Sequence, residues 1–261
     1  MTTGATTSPS TILRTGVALL VLACGAIVGH CGYSALARVG ETFPGFFVWE
    51  NGFVPAVGLP SWSGAQAGLR YHSWIETVGG EPFRSAGQVE SAVAAKPAGA
   101  IIEYTTRHGE EVTRIAVATE TFRFGHFAAS TGVFLFDSVV LLLLAGVMFY
   151  VGLADPGARS VGFFALAQSL YLAMSIDLFG PYRFRELYFF AAGLTPTATL
   201  FMISRFPVER RPRRMENVLL LAAAVLTIAF GLLSDAFFFT NREGLLLLDR
   251  LVHLAMAASA V

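Results

Sequence analysis

Charge is scarce in this chain of 261 residues: Asp, Glu, Lys and Arg together supply only 14% of it. Soluble domains usually carry about a quarter. Eighteen basic residues balance eighteen acidic ones, so no basic excess argues for nucleic acid as a partner. With 54% hydrophobic residues and a mean hydropathy of +0.61, the deficit points to lipid as a solvent. Catalytic patterns are missing too. The five histidines, His30, His72, His108, His126 and His253, include no pair at the H-E-x-x-H spacing that holds zinc, and no G-x-x-x-x-G-K-[ST] loop is present to cradle a phosphate. Nothing in the chain is large enough for a separate Ser-His-Asp hydrolase domain. The expectation is a protein with no catalytic residues, metal site or cofactor of its own.

Cysteine is nearly absent. Cys24 and Cys31 fall in or at the end of the first apolar run. Seven apart on a helix they share a face, too far apart for a disulfide within that helix. They read as packing residues or, alternatively, as a contact between two such helices. Residues 1–14 form a Thr- and Ser-rich N-terminal tail. An uncharged run follows over 15–33, close to the roughly 20 residues a membrane span needs. A signal peptide is the rival reading, since Ala35-Leu36-Ala37 resembles a cleavage site. The run is longer than a usual signal-peptide core of about 7–15 residues.

From 46 to 122 ordinary polarity returns. Residues 53–57 (Phe53, Val54, Pro55, Ala56, Val57) read as a short edge strand because of the proline, and 63–68 as a helical turn. Residues 74–78 read as a strand that ends at Gly79-Gly80. Ser85 is placed to cap a helix through Ala95, with Val89 and Val93 on one face. Residues 100–106 and 111–118 form a hairpin around Arg107-His108-Gly109-Glu110. The result is a small α+β unit.

Apolar runs resume after Gly125, with spans expected at 131–152, 161–179, 187–204, 217–233 and 245–261. The membrane bundle therefore occupies 131–261, and its last run reaches the chain end, as in a longer protein cut short. Arginines in short loops fix orientation. The strongest cluster, Arg205, Arg210, Arg211, Arg213 and Arg214, lies inside if the N-terminus is cytoplasmic, which puts 46–122 outside. Arg183 and Arg185 count against this but are outnumbered. Ionisable residues within spans are functional candidates by default: Asp137, Asp249 and His253, with Asp177 and Arg250 nearer span ends. Asp249 and His253, four apart, share a face. Pro196 is expected to kink its span.

Ala67-Gly68-Leu69-Arg70 followed by Ile75, Val78 and Gly80 resembles the bacterial PDZ core pattern, in which a short helix ending A-G-L feeds a strand written I-x-x-V-x-G. Glu81-Pro82-Phe83, the capped helix and the 107–110 hairpin continue it in order. Tyr71-His72-Ser73 departs from the family's Gly-Asp. The expected fold class is thus a membrane α-helical bundle plus a small α+β PDZ-like domain. The resemblance implies peptide capture by strand addition, with Phe53, Val54 and Val57 as the edge and Val89 and Val93 as the helix pockets; filling a small core is the plainer role for the same residues. One span, an extracytoplasmic PDZ-like domain and a further bundle also resemble the input region of bacterial inner-membrane sensors. That implies an extracytoplasmic peptide or protein tail as partner, the lipid bilayer as surroundings, and a cytoplasmic output domain outside this chain. The alternative is a non-signalling scaffold that tethers a periplasmic protease or secretion partner. A transporter is disfavoured, since no paired interrupted helices mark a midplane site.

Overall fold

The computed structural model describes residues 11–205 and 213–259. Most of the arginine-rich loop, including Arg210 and Arg211, lies outside the described residues. In chain order the elements are α1 Thr11–Ala37, β1 Thr42–Phe43, α2 Ser63–Gln66, β2 Trp74–Val78, β3 Glu81–Pro82, α3 Ala86–Ala94, β4 Ile101–His108, β5 Glu111–Ala118 and β6 Glu120–Thr121. They continue with α4 Phe124–Ala129, α5 Thr131–Gly152, α6 Pro156–Asp177, α7 Arg185–Arg205, α8 Arg213–Thr240 and α9 Arg242–Ser259. Two compact units result. One gathers Met1–His30, Leu135–Ser175 and Phe184–Val261; the other gathers Cys31–Phe134 and Ile176–Arg183.

Among the described residues, length and composition make five helices able to cross a membrane: α1, α5, α6, α7 and the Leu221–Thr240 part of α8. The chain is a multi-pass membrane protein by that measure. The expected sixth run forms α9, but Arg242, Glu243, Asp249 and Arg250 sit within its eighteen residues, and it is not among the five. Large apolar side chains such as Leu22, Leu143, Tyr150 and Leu226 point outward, as lipid requires. Helix contacts use small and hydroxylated residues, as membrane interfaces do. Ser138 and Ser169 bind reciprocally across α5 and α6, each hydroxyl donating to the other's carbonyl at 2.8 Å. On α7 and α8, the Thr227 hydroxyl donates to the Gly193 carbonyl at 2.8 Å, and the Thr197 and Thr227 hydroxyls lie 2.9 Å apart. Cys24 is buried in this unit, in a cluster with Ala145, Phe149 and Leu166.

The second unit is built on an antiparallel sheet in the order β3-β2-β4-β5. Alternation in β4 turns Ile102, Tyr104 and Thr106 inward, the period-2 pattern of a half-buried strand. The hairpin pairs His108 with Glu111, which leaves Gly109 and Glu110 as turn residues. Gly109 has φ 59° at the first central position, where a II′ turn requires glycine. Helix α3 closes one face through Ala86, Val89 and Val93, spaced as a helix stripe. These join Phe46, Val48, Val54, Leu69, Ile75, Val78, Ile102, Tyr104, Ile115 and Val117 in one core. Trp62 is buried among Phe43, Phe47, Phe122 and His126, with ring centroids 4.9–6.4 Å away.

Three local expectations change. Residues 53–57 form no strand; Phe53 makes only an isolated bridge to Trp74. Ser85 occupies the N-cap of α3 without a side-chain bond; the Gln88 side chain ties the entry instead, accepting from the Arg84 amide at 2.8 Å and donating to the Pro82 carbonyl at 3.2 Å. The unit also extends beyond residues 46–122. Thr42–Phe43 pairs with Glu120–Thr121 as a second small sheet, and the stretch Ile176–Arg183 belongs to it too.

Candidate functional site

Main-chain bonding decides where the α+β unit can accept anything. At Phe53 and Val54 the backbone is already used. The Phe53 carbonyl accepts from Trp49 at 2.8 Å, the Val54 amide donates to Ser73 at 2.9 Å, and the Val54 carbonyl accepts from His72 at 2.8 Å. The Phe53 amide donates to Asn51 Oδ1 at 3.1 Å. These two residues therefore offer no open edge, and Val57 continues no strand. Val89 and Val93 are each only 1% exposed and lie in the core. Phe53 and Val54 thus have their main chain engaged, and Val89 and Val93 pack into the core. The spacing that suggested a groove face on α3 is the spacing of its core stripe.

A different segment leaves main-chain groups unused. Buried polar main chain is nearly always paired, yet among the described residues the amides of Phe46, Phe47 and Val48 have no main-chain acceptor. Just before them, β1 and Pro44 face α3 across a cavity of about 620 Å³. Its walls include Thr42, Phe43 and Pro44 on one side and Glu90, Val93 and Ala94 on the other, with Arg38 at the end of α1 and Gly180 and Pro181 from the α6–α7 connection. Glycine is needed at Gly45, where φ is 80° and a Cβ would lie 1.9 Å from the Ser63 hydroxyl.

The charges at this cavity are organised. Arg38 donates to the Phe179 carbonyl and lies 3.9 Å from Glu90. Burial pushes the Glu90 carboxyl above its usual value, with Arg38 opposing and Glu41 adding. Tyr182 packs against the domain core, and its hydroxyl donates to the Val48 carbonyl at 3.1 Å. Burial, then the nearby Glu90, raises that phenol above its ordinary value, so it keeps the proton it donates. Tyr182 has φ 64°, a left-handed conformation rare for a bulky residue.

The intramembrane candidates separate. Asp249 and His253 do meet: Nδ1 of His253 lies 3.5 Å from Asp249 Oδ2 and 2.8 Å from the Asp249 carbonyl. Asp137 is exposed on α5, next to the buried Ser138. Arg185, which ran against the orientation rule, pairs with Asp235 at 3.1 Å and sits over Phe238 and Phe239 at 5.1 Å. Its charge is balanced locally. Residues 42–48 and Tyr182 were missed by sequence reasoning. Thr42-Phe43-Pro44-Gly45-Phe46 carried the signal, a glycine inside an apolar extended run; nothing local marked Tyr182. The chain matches no protein-family model, and no curated protein matches it.

Proposed function

We propose that the chain is the input module of a bacterial inner-membrane sensor, with its N-terminus cytoplasmic and its α+β unit a PDZ-like domain outside the cytoplasm. The domain captures an extended peptide or protein tail, and the helical unit transmits the event to a cytoplasmic output. The observation that carries this reading is that the amides of Phe46, Phe47 and Val48 have no main-chain acceptor among the described residues, close in sequence to the cavity that β1 and α3 line. Strand addition needs a free edge for main-chain bonds and an adjacent helix for side-chain selection. His72 adds support. It occupies the position where the PDZ pattern has glycine, and its φ of 62° is the backbone conformation that glycine supplies most cheaply. The departure in sequence is therefore compatible with the turn that the family's glycine makes.

A displayed library of random heptapeptides, selected against the full chain in lipid nanodiscs, tests the reading. Enriched peptides are expected to lose binding when Ala94→Trp fills the cavity from the exposed side of α3. No enrichment, or peptides indifferent to Ala94→Trp, removes the groove from the account.

A further inference from the structure

The α6–α7 connection forms part of the wall of the same cavity. Gly180, Pro181 and Arg183 line the cavity, and Tyr182 packs on the core and bonds the Val48 carbonyl. That carbonyl belongs to the segment 46–48, whose amides have no main-chain acceptor among the described residues. The Asp177 carbonyl accepts from the Gly180 amide at 3.0 Å and from the Tyr182 amide at 3.1 Å, which turns the chain toward the domain. The approach is close: a Cβ on Gly180 would stand 3.0 Å from Glu90 Oε1 and 3.5 Å from Arg38 Nη1. Gly180, with φ 114°, and Tyr182, with φ 64°, both hold conformations that side chains rarely adopt. Such conformations persist only where surrounding contacts hold them. The contacts holding Tyr182 are the domain core, the Val48 carbonyl and the Asp177 carbonyl.

We propose that Tyr182 is an internal competitor: the segment 180–183 occupies part of the peptide groove, and an external peptide must displace it to bind fully. This rests on the groove reading above and adds its regulation. The segment joins α6 directly to α7, so displacement releases the connector of two membrane helices. Ordering and release of a short segment is an established form of switch. A groove that is open only a fraction of the time binds more weakly by that fraction.

The test uses the full chain in lipid nanodiscs and a fluorescein-labelled octapeptide copying residues 178–185. Tyr182→Ala should bind this probe at least about tenfold more tightly than the unaltered chain, since the competitor is gone. Ala94→Trp added to Tyr182→Ala should abolish the gain. Tyr182→Phe keeps the ring and loses only the hydroxyl bond, so its gain should be about threefold. That variant decides the matter if Tyr182→Ala fails to fold. Equal binding by all Tyr182 variants, still sensitive to Ala94→Trp, overturns the competitor and leaves the groove standing. No binding of the octapeptide by any variant, while library peptides bind, also overturns the competitor alone. If neither the octapeptide nor the library binds, both readings fall.

Discussion

Trp62, Tyr104, Ile75, Val54, Val89 and Val117 are among the largest fully buried side chains of the α+β unit. In the helical unit, buried positions include Ser138, Ser160, Ser169, Ala173, Thr195 and Ser234, while Leu19, Leu143, Val147, Leu221 and Leu254 are exposed. The difference follows from the solvent each unit meets. Water drives large apolar groups inward. Lipid tails are as apolar as leucine, so helices gain little by hiding leucine and instead associate through close backbone approach and hydroxyl bonds. One chain thus carries two burial rules, and the polarity change near residues 46–122 marks where one gives way to the other.

The sharpest way to break the comparison is a charge in the α+β core. Val89→Glu places a carboxylate where the side chain is 1% exposed, and should destabilise the unit by at least about 3 kcal/mol. Hydrogen exchange on β4 and β5 amides of the full chain would read this as lost protection, with the helices unaffected. Retained protection would mean that Val89 is not a core residue. Next, Gly193→Leu attacks the helical seam. A Cβ there already stands 3.0 Å from the Phe230 ring and 3.2 Å from the Thr227 carbonyl. Overpacking costs about 1–3 kcal/mol, to be measured by unfolding in mixed micelles.

His72→Val should cost about 1–2 kcal/mol, because a β-branched residue resists the φ of 62° found there. The loss should appear in the α+β unit alone. Ser138→Ala should cost about 0.6 kcal/mol, the mean for hydrogen bonds between membrane helices. A much larger loss would mean that hydroxyl bonds, rather than close packing, hold α5 to α6. Smallest is a pH effect at Glu90. Its carboxyl is raised by burial in the folded unit, so folding holds that proton more tightly than the unfolded chain does. The associated stability is present below the ordinary carboxylate range and is lost as pH rises through the raised value. Glu90→Gln should flatten that decline in melting temperature across weakly acidic pH.

The sequence was most legible where one physical signal dominated. Apolar runs located all five spanning helices, and the 131–152 span agrees with α5 at both ends. Alternation and turn residues located β2, the β4–β5 hairpin and its glycine turn. The cavity between β1 and α3 was harder to find. Val89 and Val93 carry the same periodicity whether they face a ligand or a core, and only packing distinguishes the two. Residues 53–57 have strand composition, but Pro55 has no amide hydrogen, and the pairing of Val54 with His72 and Ser73 does not continue past it. Tyr182 joins the α+β unit from more than a hundred residues past its first strand. No local pattern encodes such a contact.

The most direct test of the account is where the α+β unit stands relative to the membrane. In a chain with Cys24 and Cys31 replaced by alanine, single cysteines are introduced at Glu110, in the hairpin turn, and at Arg211. Intact cells with a permeabilised outer membrane are then exposed to an impermeant maleimide. Labelling is expected at position 110 and none at 211 until the inner membrane is opened. Labelling at 211 with protection at 110 would put the domain in the cytoplasm and contradict a receptor for extracytoplasmic peptides.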